Sequence, residues 1–143
     1  MTHPVKRRNV LFCAPLLAAS LSACGNTVST AGFKGEDHEV AQAISRLQTD
    51  ATAADKQKLC AADLASAVVA RISAAPGGCQ QVIKNQLAEI DNFEVSVQSV
   101  QVTAAGARRT ASAHVKGIYA GKTVLGTLLL VKELGKWKIS GEG

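Results

Sequence analysis

The chain has 143 residues, 47% of them hydrophobic but only 3% aromatic, and a formal charge of +5. A single domain is the natural expectation at this length, with a modest core that Ala, Val, Leu and Ile must fill. The charge does not indicate nucleic acid: three of the 16 basic residues, Lys6, Arg7 and Arg8, lie in an N-terminal leader, leaving 13 against 11 acidic residues. That balance describes an ordinary mixed surface, not a basic footprint.

The leader has the order of an export signal. Basic Lys6-Arg7-Arg8 precedes an apolar stretch from Val10 to Ala19, which contains Leu11, Phe12, Leu16 and Leu17 and is interrupted by Pro15. This run is shorter than the ~20 apolar residues of a membrane span. Small residues follow, and then Leu21-Ser22-Ala23-Cys24-Gly25. This stretch resembles the lipobox of bacterial lipoproteins. The resemblance implies cleavage after residue 23, lipidation of Cys24 and a chain held on the extracytoplasmic face of the cell membrane. Several acyl chains together give a durable anchor, whereas one gives marginal binding. The Arg7-Arg8 pair raises twin-arginine export, but Asn9-Val10-Leu11 fits general secretion better.

Residues 24–35 read as a flexible Gly/Ser/Thr-rich spacer, with Phe33 packing as the first large residue of the domain. Residues 36–143 read as one α+β domain. Val40, Ala43, Ile44 and Leu47 recur at helical spacing over Glu36–Gln48, and Glu36, Asp37 and Glu39 suit the positive end of the helix dipole. Thr52-Ala53-Ala54-Asp55 resembles a capping box for a second helical region, Ala53 to Ser73, with one break near Cys60–Asp63. Ala74-Ala75-Pro76-Gly77-Gly78 is a stop and turn. A third helix is expected from Cys79 to Ile90, with Val82, Ile83, Leu87 and Ile90 on its buried side.

Cys60 and Cys79 are the two cysteines left beyond Cys24 once Cys13 leaves with the leader. In an oxidising compartment they are expected to form a disulfide. They lack the Cys-x-x-Cys spacing and the neighbouring His of a reactive pair.

After Asn92 the period changes to two. Val95 and Val97 hold one parity and Val100 and Val102 the other, so a bulge near Gln98-Ser99 is needed to keep all four on one face. Ala104–Ala107 turns the chain into a second strand, Arg108 to Tyr119. There Ala111, Ala113 and Val115 oppose Ser112, His114 and Lys116. Thr123 to Val131 is apolar enough to suggest a central strand covered on both sides. A last strand carries Trp137 and Ile139. The expected architecture is about three helices on a four-stranded antiparallel meander.

Helices followed by a meander that closes in Glu133-Leu134-Gly135-Lys136-Trp137-Lys138-Ile139 resemble small actinobacterial lipoprotein domains, similar to the nuclear transport factor two-like and cystatin-like folds. The resemblance covers about residues 36–140. It implies a curved sheet wrapped over helices, sometimes enclosing a pocket, and no single activity. His114, Tyr119 and Trp137 are the possible pocket residues, although strand parity puts His114 on the wet face and Trp137 suits the end of the core. No set of catalytic, metal-ligating or cofactor-binding residues stands out. His38 beside Asp37 and Glu39 lacks metal-site spacing, and Gly77-Gly78 lacks the Lys-Ser or Lys-Thr of a phosphate loop. The first expectation is a non-enzymatic, membrane-anchored envelope lipoprotein that binds a protein partner or a small apolar ligand. The alternatives are a cavity enzyme of isomerase or hydratase type and a structural subunit of an envelope complex.

Overall fold

A computed structural model describes residues 28–90, 92–119 and 121–143. The expected leader, Cys24 and the first residues of the expected spacer lie outside the described residues.

Among the described residues four α-helices precede four strands: α1 (Gly35–Thr52), α2 (Lys56–Lys58), α3 (Ser66–Ser73), α4 (Gly78–Ala88), β1 (Glu94–Ala105), β2 (Arg108–Tyr119), β3 (Lys122–Glu133) and β4 (Lys136–Glu142). The strands form one antiparallel meander in the order β1-β2-β3-β4. The α+β class is as expected. The second helical region is more broken than its periodicity suggests. It contains a short α2, a π-helical turn over Leu59–Asp63, an extended step at Leu64-Ala65, and then α3. The expected capping box does not form: Thr52 ends α1, and Asp55 caps α2 by accepting from the Lys58 amide at 3.0 Å.

Packing of α1 across the inner face of the sheet generates the core. Val40, Ala43 and Ile44 meet Ala111, Ala113, Val115, Leu130, Trp137 and Ile139, all buried. Gln98 is the extra residue of β1, because Val97 pairs with Val115 and Ser99 with His114. The bulge therefore brings Val95, Val97, Val100 and Val102 together against the core, as the change of parity requires. Buried Gln48, near the end of α1, accepts the Val95 amide at 2.8 Å and fixes where β1 begins.

The remaining helices pack at the β4 edge and on one another. Leu64 makes a parallel bridge to Ile139, and the Ala65 amide donates to the Ile139 carbonyl at 2.8 Å. The first turn of α3 has no cap of its own. Glu133 of β3 supplies one, accepting from the Ser66 amide at 3.1 and 3.2 Å and from its hydroxyl at 2.7 Å. A disulfide joins Cys60 in the π-helical turn to Cys79 in α4. Gly77, at φ +83°, admits no larger residue, since a Cβ there would lie 2.7 Å from the Gln81 side chain.

Two expectations differ from the structure. Within the expected spacer, Val28 is already buried, and Phe33 is half-buried with its amide donating to the Thr30 carbonyl. The packed chain therefore starts before α1. β3 is central in the pairing order but is not covered on both sides. Leu128 and Leu130 face the core, while Val124, Leu125 and Leu129 are exposed. The helices cover only the inner face, and not along its whole length.

Candidate functional site

The three possible pocket residues do not converge. Trp137 lies on the inner face, 2% exposed. Its indole N–H donates to Glu39 of α1 at 3.2 Å, and Lys132 sits 5.6 Å from the ring centroid. Lys132 also binds Glu39 at 2.8 Å and Glu36 at 3.3 Å, and Glu36 pairs with Arg109. This network holds the Glu39 carboxyl below its usual range, chiefly through the Lys132 hydrogen bond. The indole closes the core at that end and offers no free face to a ligand. His114 is exposed on the opposite face, its Nδ1 3.1 Å from the Thr127 hydroxyl. Antiparallel register fixes this separation, because alternate residues of β2 point to opposite sides. Tyr119 ends β2; its side chain lies outside the described residues, as does Cys24, the expected lipidation position. Cys60 and Cys79 are joined, as expected.

Two features have no counterpart in the sequence reading. The first is an apolar surface at the end of the sheet where β2 turns into β3. Ile118 is 41% exposed, Val124 50% and Leu125 76%. Register places Ile118 and Leu125 on the outer face, opposite Thr123 and Lys116, and Val124 on the inner face opposite Gly117. Leu129 continues the outer face beyond the His114–Thr127 pair. The outer face there combines apolar area with the His114–Thr127 pair and with Lys116, which pairs with Leu125 and lies between Ile118 and His114. That composition suits docking of a neutral or acidic apolar body. The sequence signal was present in the run Thr123–Val131, but its two faces could not be assigned to core or surface without the helix layer.

The second is Asp63, the last residue of the π-helical turn, 3% exposed. One of its carboxylate oxygens, Oδ2, has no partner among the described residues. Burial and then a hydrogen bond with Asp50 push its pKa up to about 7, against the weaker pull of Arg46 and Lys58. Lys58 sits 3.7 Å from Asp50 and 3.3 Å from Asp55, so its charge is shared. Two carboxyls this close hold a proton between them more readily than two charges. Single-turn π-bulges recur at functional positions. Nothing local in the sequence marks Asp63, because its partners come from α1 and α2. Among the described residues no group of three His, Cys, Asp or Glu could hold a metal ion.

No family model matches the chain, and no curated protein matches it either. Solved structures do resemble it. A chain named Rd1NTF2_05, carrying five substitutions, is 18% identical with a TM-score of 0.45, covering 71% of this chain and 94% of its own. A candidate dehydratase of the NTF2-like family from Streptomyces avermitilis is 12% identical with a TM-score of 0.48, covering 73% and 90%. A candidate ketosteroid isomerase from Shewanella frigidimarina is 16% identical with a TM-score of 0.40, covering 73% and 92%. These neighbours are NTF2-like domains. Likeness at this level concerns architecture alone and carries nothing about activity.

Proposed function

We propose that this chain is a lipid-anchored protein of the cell envelope, tethered through Cys24, whose α+β domain binds a protein partner at the β2–β3 end of its sheet without catalysing a reaction. The observation that carries the binding is the exposure, at one end of the paired strands, of Ile118 and Leu125 on the outer face and of Val124 on the inner face. A core short of large residues gains from burying each one, so leaving three outside favours a surface meant to be covered. The anchor rests on the residues before Cys24. Among the described residues no helix is long and apolar enough to cross a membrane. A small apolar ligand at the same surface is the narrower form of this reading.

Mass spectrometry of the mature protein tests the anchor: a diacylglyceryl adduct on an N-terminal Cys24 is expected, and an unmodified thiol would remove it. Binding is tested by comparing envelope material retained by the wild type and by Leu125→Asp. A defined species retained by the first and lost from the second is expected; identical retention counts against the surface.

Asp63 favours a second reading, a cavity enzyme in which this carboxyl moves a proton near neutral pH. That reading requires a path from solvent to Asp63. Soaking crystals with small carboxylate-binding fragments would reveal one, and density confined to the sheet surface would speak against it.

A further inference from the structure

The chain enters the fold at one end of the sheet, and that end differs chemically from the other. Thr30 is held against the first turn of α1, its carbonyl 3.2 Å from His38 Nδ1. Glu36, in the same turn, pairs with Arg109 at the start of β2 and with Lys132 near the end of β3. Register closes the β1–β2 turn at Ala105↔Arg108 and the β3–β4 turn at Glu133↔Lys136. The N-terminal approach, both turns and the start of α1 therefore share one end. The exposed β2–β3 surface lies at the other, nine residues along β2 and so about 30 Å away.

The β3–β4 turn presents Leu134 fully to solvent. Its backbone is left-handed, with φ 49°, and Gly135 follows at 77°. A two-residue hairpin turn of this kind favours Asn or Asp at its first position, where leucine is unfavourable. Here an apolar side chain occupies a position that suits it neither by conformation nor by solvation. At the same end lie Lys34, Arg108 and Lys136, all exposed and none engaged by an ion pair among the described residues. The carboxylates of this end are mostly taken. Glu36 and Glu39 bind Arg109 and Lys132, and Glu133 binds Ser66 and Lys138. Of the acidic residues here, Asp37 alone has none of these partners.

We infer that this end of the domain docks directly on an anionic lipid surface, with Leu134 entering the interface and Lys34, Arg108 and Lys136 meeting headgroup phosphates. The inference rests on the anchored reading for its orientation. Val28 is buried only four residues after Cys24, so Cys24 lies at most about 14 Å from it along the chain. A lipid at Cys24 would hold this end against the bilayer and leave the β2–β3 surface pointing away, open to a protein partner. Positive charge near an anionic surface and an apolar side chain at the headgroup level act together, as in other peripheral contacts.

The test uses the chain from residue 24 onward, which carries every described residue, with Cys24→Ser so that no lipid contributes. Co-sedimentation is measured with phosphatidylcholine vesicles, alone and mixed with phosphatidylglycerol. Retention on the anionic vesicles alone is expected, weakening with salt. Leu134→Asn should lower vesicle affinity about tenfold. Its melting temperature should be unchanged or higher, because Asn suits the left-handed turn. Arg108→Gln and Lys136→Gln should each lower affinity about fivefold. Equal retention on neutral vesicles, no retention on either, or an unchanged Leu134→Asn would overturn the inference. An unmodified Cys24 in the full-length protein, with anionic retention intact, would instead remove the anchor and leave the surface standing.

Discussion

The two halves of this domain are held together in different ways. Between α1 and the sheet, nine apolar residues are buried in one cluster. In the α3–α4 pair, Cys79 alone is buried, while Val68, Val69, Ile72, Val82, Ile83 and Leu87 all remain half-exposed. The first half is stabilised by removal of apolar area from water. The second lacks that area and depends on discrete ties: the Cys60–Cys79 disulfide, the Glu133 cap on α3 and the Ile139 hydrogen bond to Ala65. A helix pair with little buried surface stays in place when a few specific bonds limit where it can go. It should also be the part that opens first.

Breaking the core should have the largest effect. Ile44 is fully buried at the centre of the cluster, and Ile44→Ala should lose about 3–4 kcal/mol in urea unfolding, lowering both halves together. Removing the disulfide with Cys60→Ser and Cys79→Ser closes no loop in the unfolded chain and should lose about 3 kcal/mol. Hydrogen exchange should locate that loss: α3 and α4 lose protection first, while β2 and β3 keep theirs. Simultaneous loss throughout would mean that the halves are one cooperative unit.

Asp63 gives the comparison a pH axis. Its folded pKa is raised from 3.8 to about 7. Between these values the unfolded chain releases a proton that the folded state keeps. Stability is therefore highest below about pH 4, falls as pH rises towards 7 and is level above it, as far as this group is concerned. The charged groups that act on it are Asp50 and Arg46 of α1 and Lys58 of α2, and Lys138 of β4 binds the Ala61 carbonyl of the same turn. Asp63→Asn should abolish this slope and raise stability at pH 8 by about 2 kcal/mol. Parallel denaturant titrations at pH 5 and pH 8 would show whether it does. The smallest expected effect is that of Glu133→Ala, about 1 kcal/mol, confined to α3 and read from exchange at Ser66–Ser73.

The sheet half was legible in the sequence because its signals are local. The parity change at Gln98 could be resolved only by a bulge, and the alternation over Arg108–Tyr119 fixed which side chains share a face, including the exposure of His114. The helical half was less legible. The break expected near Cys60–Asp63 is where the π-helical turn lies, but its π form and the extended step after it were hidden, because they are set by Leu64 and Ala65 binding Ile139 across the fold. The cap of α3 was invisible for the same reason, since Glu133 stands 67 residues from Ser66.

The sequence alone determined the period of each strand, the helix stripe of α1, the pairing of the two remaining cysteines and the grouping of apolar against polar faces. These depend on neighbours within a few positions. The tertiary structure alone decided which apolar faces stay uncovered, that Asp63 is buried beside Asp50, and that Leu134 stands at the end where the chain enters. Burial and charge pairing depend on what lies across space, and a single chain position carries no record of that until the layers meet.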